Sequence, residues 1–217
     1  PEQVLTEPCR RNTAPCIAYA MCKLFQRDPE AVAVVTPSDQ YIGNEQAFET
    51  IMAESLVFAR QHPALLTVGI TPTYPATGYG YIQTRSQEGA RFTPVQRFKE
   101  KPDLRTAMSY LNEGNYYWNS GMFVWSAKAI VEALRLYLPE VTSLFEGVGE
   151  AYDTPQEQVA VNAAFTASPS ISIDYGVMER SNKVYVCCTN DLAWSDVGSW
   201  GALYGLLTKD EQLNAAS

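Results

Sequence analysis

The amino-acid sequence predicts an α/β fold in which helices cover both faces of a mixed, mostly parallel sheet. Two observations support this prediction. An unbroken apolar run at residues 31–35 and a largely apolar run at Leu65–Ile70 are typical of strands that are buried on both faces. Segments with a helical spacing of apolar residues alternate with these runs, and such alternation indicates βαβ units.

Local signals justify each element in turn. A helix at residues 12–26 is predicted because Asn12 can cap it, Pro15 suits its first turn and its apolar residues form one stripe. Glu45–Gln61 has the same helical spacing. The later elements are an antiparallel pair at 78–83 and 93–98 around a polar turn at 86–89, a helix at 103–111, an aromatic strand with a small-residue kink at 116–125, two or three helices within 127–167, a strand at 184–188 and a helix at 198–207.

Composition and charge limit the classes of function. The chain has 217 residues, 46% of them hydrophobic and 18% charged, which is enough for one domain over residues 1–217 with a full core. The net charge of −8 argues against nucleic acid or an anionic membrane surface as the partner, although a small anion needs only a local cluster of cations. No apolar run reaches membrane-span length and no signal peptide is visible, so we expect a cytoplasmic protein.

The cysteines and the single histidine argue against several kinds of site. The five cysteines are odd in number and form no C-x-x-C pair, which disfavours a zinc site or a disulfide framework and favours reduced thiols. His62 stands before Pro63 in a predicted helix-to-strand connection. That position argues against a Ser-His-Asp or Cys-His hydrolase.

Two aspartates are candidates for a metal site. Pro37 should end the first strand, so Asp39 follows its carboxyl end, where open α/β sheets bind ligands and metals. Asp196 precedes the last helix in the segment WSDVGSW, whose two tryptophans are expected to shield it. Mg²⁺ prefers one or two carboxylates together with waters and phosphate oxygens, so the pair fits a Mg²⁺ site. Each aspartate also fits a simple capping role, although Ser199 could cap the last helix and leave Asp196 free.

Three further groups could bind a substrate. Lys101, held before a proline, can meet a phosphate as a point charge, and Glu100 can accept a hydrogen bond from a sugar hydroxyl; the alternative is a solvated charge run. Asn119 lies in the aromatic strand and needs partners, because burying an unpaired amide costs roughly 1–3 kcal/mol. A sugar hydroxyl or the backbone at a bulge could supply them. The segment 11–13 opens a helix, which suits an anion, a base edge or ordinary capping.

Seven motifs in a fixed order resemble the sugar-phosphate nucleotidyltransferase family, and within it the mannose-1-phosphate guanylyltransferases. They span nearly the whole chain. The motifs are EPCRRNTAP at 7–15, TPSD at 36–39, TGYGYI at 77–82, FKEKP at 98–102, WNSGMF at 118–123, SIDYGVME at 172–179 and WSDVGSW at 194–200.

The resemblance implies a Rossmann-like three-layer fold and the reaction of GTP with mannose 1-phosphate, giving GDP-mannose and pyrophosphate. It implies Asp39 and Asp196 as ligands of Mg²⁺ and, with Lys101 on the sugar phosphate, as the catalytic residues. For Asp174 we expect a structural role. The implied substrate-binding residues are Glu100, Asn119, Gly78, Tyr79 and Gly80 for the mannose, and Arg11, Asn12 and Thr13 near the guanine.

The chain departs from the family pattern in two ways. Gln40 replaces the usual histidine, a change expected to have little effect. The 217 residues contain no G-x-G-x-x-G or Walker segment and no C-terminal β-helix. We therefore expect an N-terminally truncated piece that is inactive or weakly active, with an open sheet edge that favours a homo-oligomer. The alternatives are a non-catalytic nucleotide-sugar-binding module, a nucleotidyltransferase for another hexose 1-phosphate, and a metal-dependent glycosyltransferase, whose Asp-x-Asp motif is missing here.

Overall fold

A computed structural model describes residues 4–84, 90–198, 200–210, 212, 214 and 215. It confirms an α/β fold with a mixed sheet. Its strands are β1 (Val32–Val35), β2 (Tyr41–Ile42), β3 (Leu65–Ile70), β4 (Tyr81–Thr84), β5 (Thr93–Lys99), β6 (Tyr116–Ser126), β7 (Val184–Thr189) and β8 (Trp194–Ser195). Its helices are α1 (Thr13–Arg27), α2 (Glu45–Gln61), α3 (Leu104–Glu113), α4 (Ala127–Tyr137), α5 (Pro139–Glu146), α6 (Glu157–Ala167) and α7 (Trp200–Leu206).

The main sheet has six strands in the order β1-β6-β3-β7-β5-β4, and β4 also pairs with β6. Strands β1, β3, β7 and β4 point the same way, while β5 and β6 run against them. The prediction of a mostly parallel sheet therefore holds for strand direction. It is wrong for hydrogen-bonded neighbours, because β3 and β7 form the one parallel pair among the described residues. The cause is β6, which returns between β1 and β3 and pairs with both in the antiparallel sense.

Strand β1 differs from its prediction. It lies at the edge of the main sheet and pairs only with β6 among the described residues. Its side chains are largely half-buried rather than buried on both faces, and Val34 is 37% exposed. An apolar run predicts a strand but not its place in the sheet, so this part of the prediction is wrong.

Two apolar cores fill the space on the two faces of the sheet. Because successive side chains of a strand point to opposite faces, Leu65 and Phe123 join one core while Leu66 and Val124 join the other. The first core includes α1, α4, α5 and α6, and the second includes α2 and α3. This is the predicted three-layer arrangement of helices, sheet and helices.

The predicted helix starts are confirmed by their caps. The Asn12 side chain accepts a hydrogen bond from the backbone of Thr13, and Asp103 accepts one from Thr106, each at 2.9 Å. Ser199 and the turn predicted at 86–89 lie outside the described residues. Within the described part, no helix combines the length and the apolar character that a membrane crossing requires.

Candidate active site

The fold brings the carboxyl ends of parallel strands to one edge of the sheet, where such folds bind ligands. Asp39 follows the end of β1. Asn119 of β6 is the register partner of Gly69, one residue before the end of β3. Strand β5 ends at Lys99 opposite Tyr81, which carries Glu100 to the same edge. Segments that are far apart in sequence are thus neighbours here.

Gly80 lies directly against the carboxylate of Glu100. A β-carbon built on Gly80 would stand 2.5 Å from Glu100 Oε2 and 3.3 Å from the β-carbon of Asn119. A side chain at this position would therefore displace the Glu100 carboxylate and press against Asn119, so glycine favours the observed arrangement. Oε2 of Glu100 is buried and has no hydrogen-bond partner among the described residues. The carboxylate therefore has an acceptor that a ligand can use.

The amide of Asn119 is held by three protein groups. Its Nδ2 donates to Asp174 Oδ1 at 2.9 Å, and its Oδ1 accepts from Thr67 Oγ1 at 2.9 Å and from the backbone of Gly121 at 3.3 Å. Its backbone N–H donates to the carbonyl of Gly80 at 2.8 Å. The protein thus meets the predicted need for partners and leaves the second Nδ2 hydrogen for a ligand. No local sequence signal indicates the contacts with Thr67 and Asp174.

Burial and neighbouring carboxylates raise the pKa of Glu100. Burial, followed by the charge of Asp174, raises the pKa of Glu100 from 4.5 to about 7, and Glu179 adds to the rise while Lys101 opposes it. Burial also raises the pKa of Asp174. The Glu100 backbone N–H donates to Glu179 Oε1 at 2.8 Å, so three carboxylates crowd this corner. One of them retains a proton more readily than an exposed acid would.

Lys101 borders the same corner with an exposed ammonium group. Its Nζ lies 3.5 Å from Glu100 Oε1, and its side chain is 58% exposed. Its φ is 44°, a left-handed conformation that residues other than glycine rarely adopt. Strain of this kind persists where the surroundings impose it, commonly at functional sites. The conformation supports the prediction that Lys101 meets a ligand.

The two predicted metal ligands lie on adjoining segments. Strands β2 and β8 pair antiparallel with Tyr41 opposite Ser195, and Asp39 and Asp196 stand close to these residues in the chain. Oδ1 of Asp196 is buried without a hydrogen-bond partner among the described residues, whereas Asp39 is exposed. No group of three or more potential metal ligands occurs in the described part of the chain. An orphaned carboxylate oxygen with one second carboxylate nearby fits Mg²⁺, which takes its other ligands from water and phosphate.

Aromatic side chains join Asp196 to the Gly80 region. Asp196 lies close enough to the Tyr79 hydroxyl to affect its titration: burial, the contact with Tyr74 and this carboxylate all raise the pKa of Tyr79. The Tyr79 ring lies 5.6 Å from that of Trp194 and 5.1 Å from that of Trp118. Shielding of Asp196 by Trp194 stays a prediction. Shielding by Trp200 is wrong, because this residue is 87% exposed.

The three residues predicted near a guanine have partners inside the protein. The guanidinium of Arg11 donates to the carbonyls of Phe165 and Thr166, each at 3.0 Å. Thr13 Oγ1 accepts from the backbone of Ile173 at 2.8 Å, which ties the start of α1 to the residue before Asp174. These contacts give Arg11 a structural role that the sequence did not indicate. Asn12 and Thr13 lie next to the Asp174 corner through the same link.

Gln40 makes more contacts than the sequence predicts. Its Nε2 donates to the carbonyl of Ser120, and its Oε1 accepts from Trp194 Nε1 at 3.0 Å. These bonds join the Asp39 segment to the kink of β6 and to the segment before Asp196. The expectation that Gln40 matters little follows from the fact that a metal-binding aspartate pair does not require a histidine there; it could not include these bonds, because the partners are 80 and 154 residues away in sequence.

Comparisons with known proteins agree with this arrangement. A family model described as nucleotidyl transferase matches residues 2–212. The chain is 42% identical over 216 residues to the xanthan biosynthesis protein XanB of Xanthomonas campestris pv. campestris (strain B100), covering 99% of this chain and 45% of that protein. It is 40% identical to the mannose-1-phosphate guanylyltransferase of Sinorhizobium fredii, covering 98% of this chain and 41% of that enzyme.

A solved structure extends the likeness to the fold. It is described as mannose-1-phosphate geranyltransferase from Thermus thermophilus, with a TM-score of 0.83 and 32% identity, and the match covers 95% of this chain and 58% of that one. The chain spans less than half the length of the curated relatives named above. The match to the family model over nearly all residues shows that the chain belongs to the nucleotidyl transferase family.

Proposed function

We propose that the protein transfers a guanylyl group from GTP to mannose 1-phosphate, giving GDP-mannose and pyrophosphate. One observation carries the proposal: the residues expected to bind metal, phosphate and sugar form a continuous chain of contacts. Tyr79 lies beside Asp196, whose charge raises its pKa, and its neighbour Gly80 packs against Glu100 and accepts a hydrogen bond from Asn119. The names of the relatives support mannose 1-phosphate as the acceptor.

The chemistry asks for positioning and charge neutralisation. A phosphate oxygen of mannose 1-phosphate attacks the α-phosphorus of GTP, the bond between the α-phosphorus and the bridging oxygen breaks, and pyrophosphate leaves with that electron pair. Catalysis of such an in-line transfer rests on holding the reactants and on stabilising the developing charge. The exposed ammonium of Lys101 is placed to neutralise the sugar phosphate. Asp39 and Asp196 would hold Mg²⁺, which supplies charge neutralisation between the phosphates when bound.

The sugar site follows from unused hydrogen-bonding capacity. Oε2 of Glu100 has no partner among the described residues, and Asn119 keeps one amide hydrogen free after donating to Asp174. Together, the carboxyl oxygen of Glu100 and the amide hydrogen of Asn119 offer one acceptor and one donor to adjacent hydroxyls. Because Glu100 has a pKa of about 7, it can also donate when protonated. A hexose matches this arrangement better than a flat base does.

A second candidate is a module that binds a nucleotide sugar without turnover. The observation that favours it is the sequence itself, in which no G-x-G-x-x-G segment occurs among the 217 residues. On this hypothesis the chain by itself turns over slowly or not at all. The sugar corner and the aspartate pair would then hold a product without forming it.

Pyrophosphate release tests the proposal. The protein is incubated with GTP, Mg²⁺ and mannose 1-phosphate, alone and with Asp196→Asn. Asp191→Asn serves as a matched control, because Asp191 is exposed and lies five residues earlier in the chain. We expect release that falls at least about 100-fold in Asp196→Asn, as loss of a charge-stabilising group typically does, and that persists in Asp191→Asn.

Each other outcome favours a different function. Binding of GDP-mannose without pyrophosphate release would favour the non-catalytic module. Equal release with glucose 1-phosphate would favour a different hexose specificity. The absence of both GDP-mannose binding and pyrophosphate release would contradict the proposed function.

A further inference from the structure

We propose that Gln40 is a positioning residue that fixes the two aspartates of the metal site relative to each other. The inference rests on the proposed function, because it concerns how Asp39 and Asp196 hold a divalent cation. Gln40 itself does not touch the cation in this proposal. It acts through the segments that it joins.

The aspartate segments flank two short strands, which backbone hydrogen bonds from Gly43 and Asn44 to Leu192 also hold. Strands β2 and β8 contain two residues each and pair with each other, outside the main sheet. The exposed Asp39 carboxylate makes no hydrogen bond to another described residue, so its direction is set by its backbone. Whatever fixes residues 36–40 therefore fixes Asp39.

Gln40 ties this small ribbon to a rigid point. Its Nε2 donates to the carbonyl of Ser120, which is 2% exposed. The Ser120 hydroxyl in turn donates to the carbonyl of Val68 in β3 at 2.8 Å and accepts from the backbone of Met122 at 3.2 Å. The Ser120 anchor is thus part of the centre of the main sheet.

The other end of the same amide reaches the Asp196 segment. Gln40 Oε1 accepts from Trp194 Nε1 at 3.0 Å, two residues before Asp196. One planar amide thus spans the sheet anchor and the approach to the second aspartate. Both of its ends are used, so its orientation is determined by the network and not by solvent.

The kink of β6 faces the amide. A β-carbon on Gly121 would lie 3.4 Å from Pro37 Cγ and 3.9 Å from Gln40 Nε2, which is ordinary van der Waals contact. The Asp39 segment therefore lies next to the kink of β6. Outer groups of this kind orient the ligands of a metal, and their loss typically costs about 10- to 100-fold in metal affinity.

The test measures binding of Mn²⁺ in the presence of saturating GDP-mannose, by electron paramagnetic resonance of the free ion. Gln40→Met keeps the length of the side chain and removes both bonds. We expect its Mn²⁺ affinity to fall about tenfold. Gln46→Met, at an exposed position in the first turn of α2, should bind Mn²⁺ as the wild type does.

A second variant makes the test informative even if Gln40→Met does not fold. Trp194→Phe preserves an aromatic ring and removes the Nε1 donor, so it breaks one of the two bonds of Gln40. We expect a similar loss, and no additional loss in the double variant, because residues that act through one link are not additive. Affinity for GDP-mannose in EDTA should stay within about twofold of wild type, since the sugar corner is untouched.

Three results overturn the inference. Unchanged Mn²⁺ affinity in folded Gln40→Met or in Trp194→Phe overturns it while leaving the proposed function standing. Additive losses in the double variant would show that the two residues act separately. Wild-type protein that binds GDP-mannose but no Mn²⁺ would overturn both the metal site of the proposed function and this inference with it.

Discussion

At the scale of single residues, Glu100 shows most clearly how the fold gives a side chain its chemistry. It is buried beside Asp174 and Glu179, and its pKa lies near 7. The sequence places Glu100 in a run of charges, where an ordinary acid would be expected. The crowding of three carboxylates comes from segments 70 to 80 residues apart in sequence and is therefore not visible in local patterns.

The shifted pKa of Glu100 predicts a pH dependence of stability. The folded protein binds this proton more tightly than the unfolded chain, whose glutamate has a pKa of 4.5. The contribution is therefore fully present below pH 4.5 and is lost as pH rises through about 7. Between these pH values the wild type should lose unfolding free energy on the order of 2–3 kcal/mol. Glu100→Gln cannot ionise and should not show this loss.

Urea unfolding at several pH values measures this effect. The difference between wild type and Glu100→Gln isolates Glu100 from the other acids. Glu49→Gln, exposed on α2, is the control and should leave the pH profile as it is. A difference that stays flat from about pH 5 to pH 8 would show that Glu100 titrates as an ordinary surface acid.

The residues of the candidate site were predictable from sequence to different degrees. Glu100, Asn119 and Asp196 stand in distinctive motifs; Gly80 contacts the first two, and its neighbour Tyr79 lies beside Asp196. Asp174 and Gln40 also stand in or beside motifs, but their contacts have no local signal, because a hydrogen-bond partner is a property of the fold.

At the scale of elements, the kink in β6 shapes the site. Gly121 has a φ of 75° inside the continuous strand, and the register of β6 against β3 shifts nearby, between Thr67 and Gly69. A β-carbon on Gly121 would make ordinary van der Waals contact with Pro37 of the Asp39 segment. The aromatic pattern and the small residues at 119–121 predicted this kink. They did not predict that β6 would separate β1 from β3, because strand order depends on long-range pairing.

Two glycines of nearly equal φ separate backbone strain from packing. Gly114, after α3, has a φ of 74° and would place a β-carbon in open space, whereas a β-carbon on Gly121 would stand 3.4 Å from Pro37 Cγ, in van der Waals contact. We expect Gly114→Ala and Gly121→Ala each to lose about 1–2 kcal/mol of unfolding free energy, since the left-handed conformation penalises a β-carbon. Only Gly121→Ala should also weaken Mn²⁺ binding with GDP-mannose.

Thermal unfolding and the Mn²⁺ titration check this pair together. The Gly114 variant corrects for strain, so any further effect of Gly121→Ala reports the contact with Pro37. Equal Mn²⁺ affinity in the two variants would mean that the kink does not support the aspartate segment.

At the scale of the whole molecule, the layers were predictable and the sheet order was not. The position of Glu45–Gln61 agrees with its prediction because apolar spacing and an Asn44 cap define a helix locally. The two cores follow from the alternation of side chains along β3 and β6. The half-buried state of β1 depends on what lies beside it, which a run of valines does not encode.

The net charge of −8 affects how the whole molecule meets an anionic ligand. An acidic protein repels a nucleoside triphosphate in general, so recognition must come from local groups. On the proposed function, the exposed Lys101 and a cation held by Asp39 and Asp196 would overcome that repulsion. Binding of the anionic product should therefore depend strongly on Mg²⁺.

Calorimetric titration of GDP-mannose in the presence of Mg²⁺ tests most directly whether the sugar corner and the aspartate pair form one site. We predict a single binding event per chain, preference over GDP-glucose by about tenfold or more because a misplaced hydroxyl leaves a buried polar group unpaired, and loss of binding energy in EDTA. Equal heats with GDP-glucose, or affinity that ignores Mg²⁺, would contradict the proposed site.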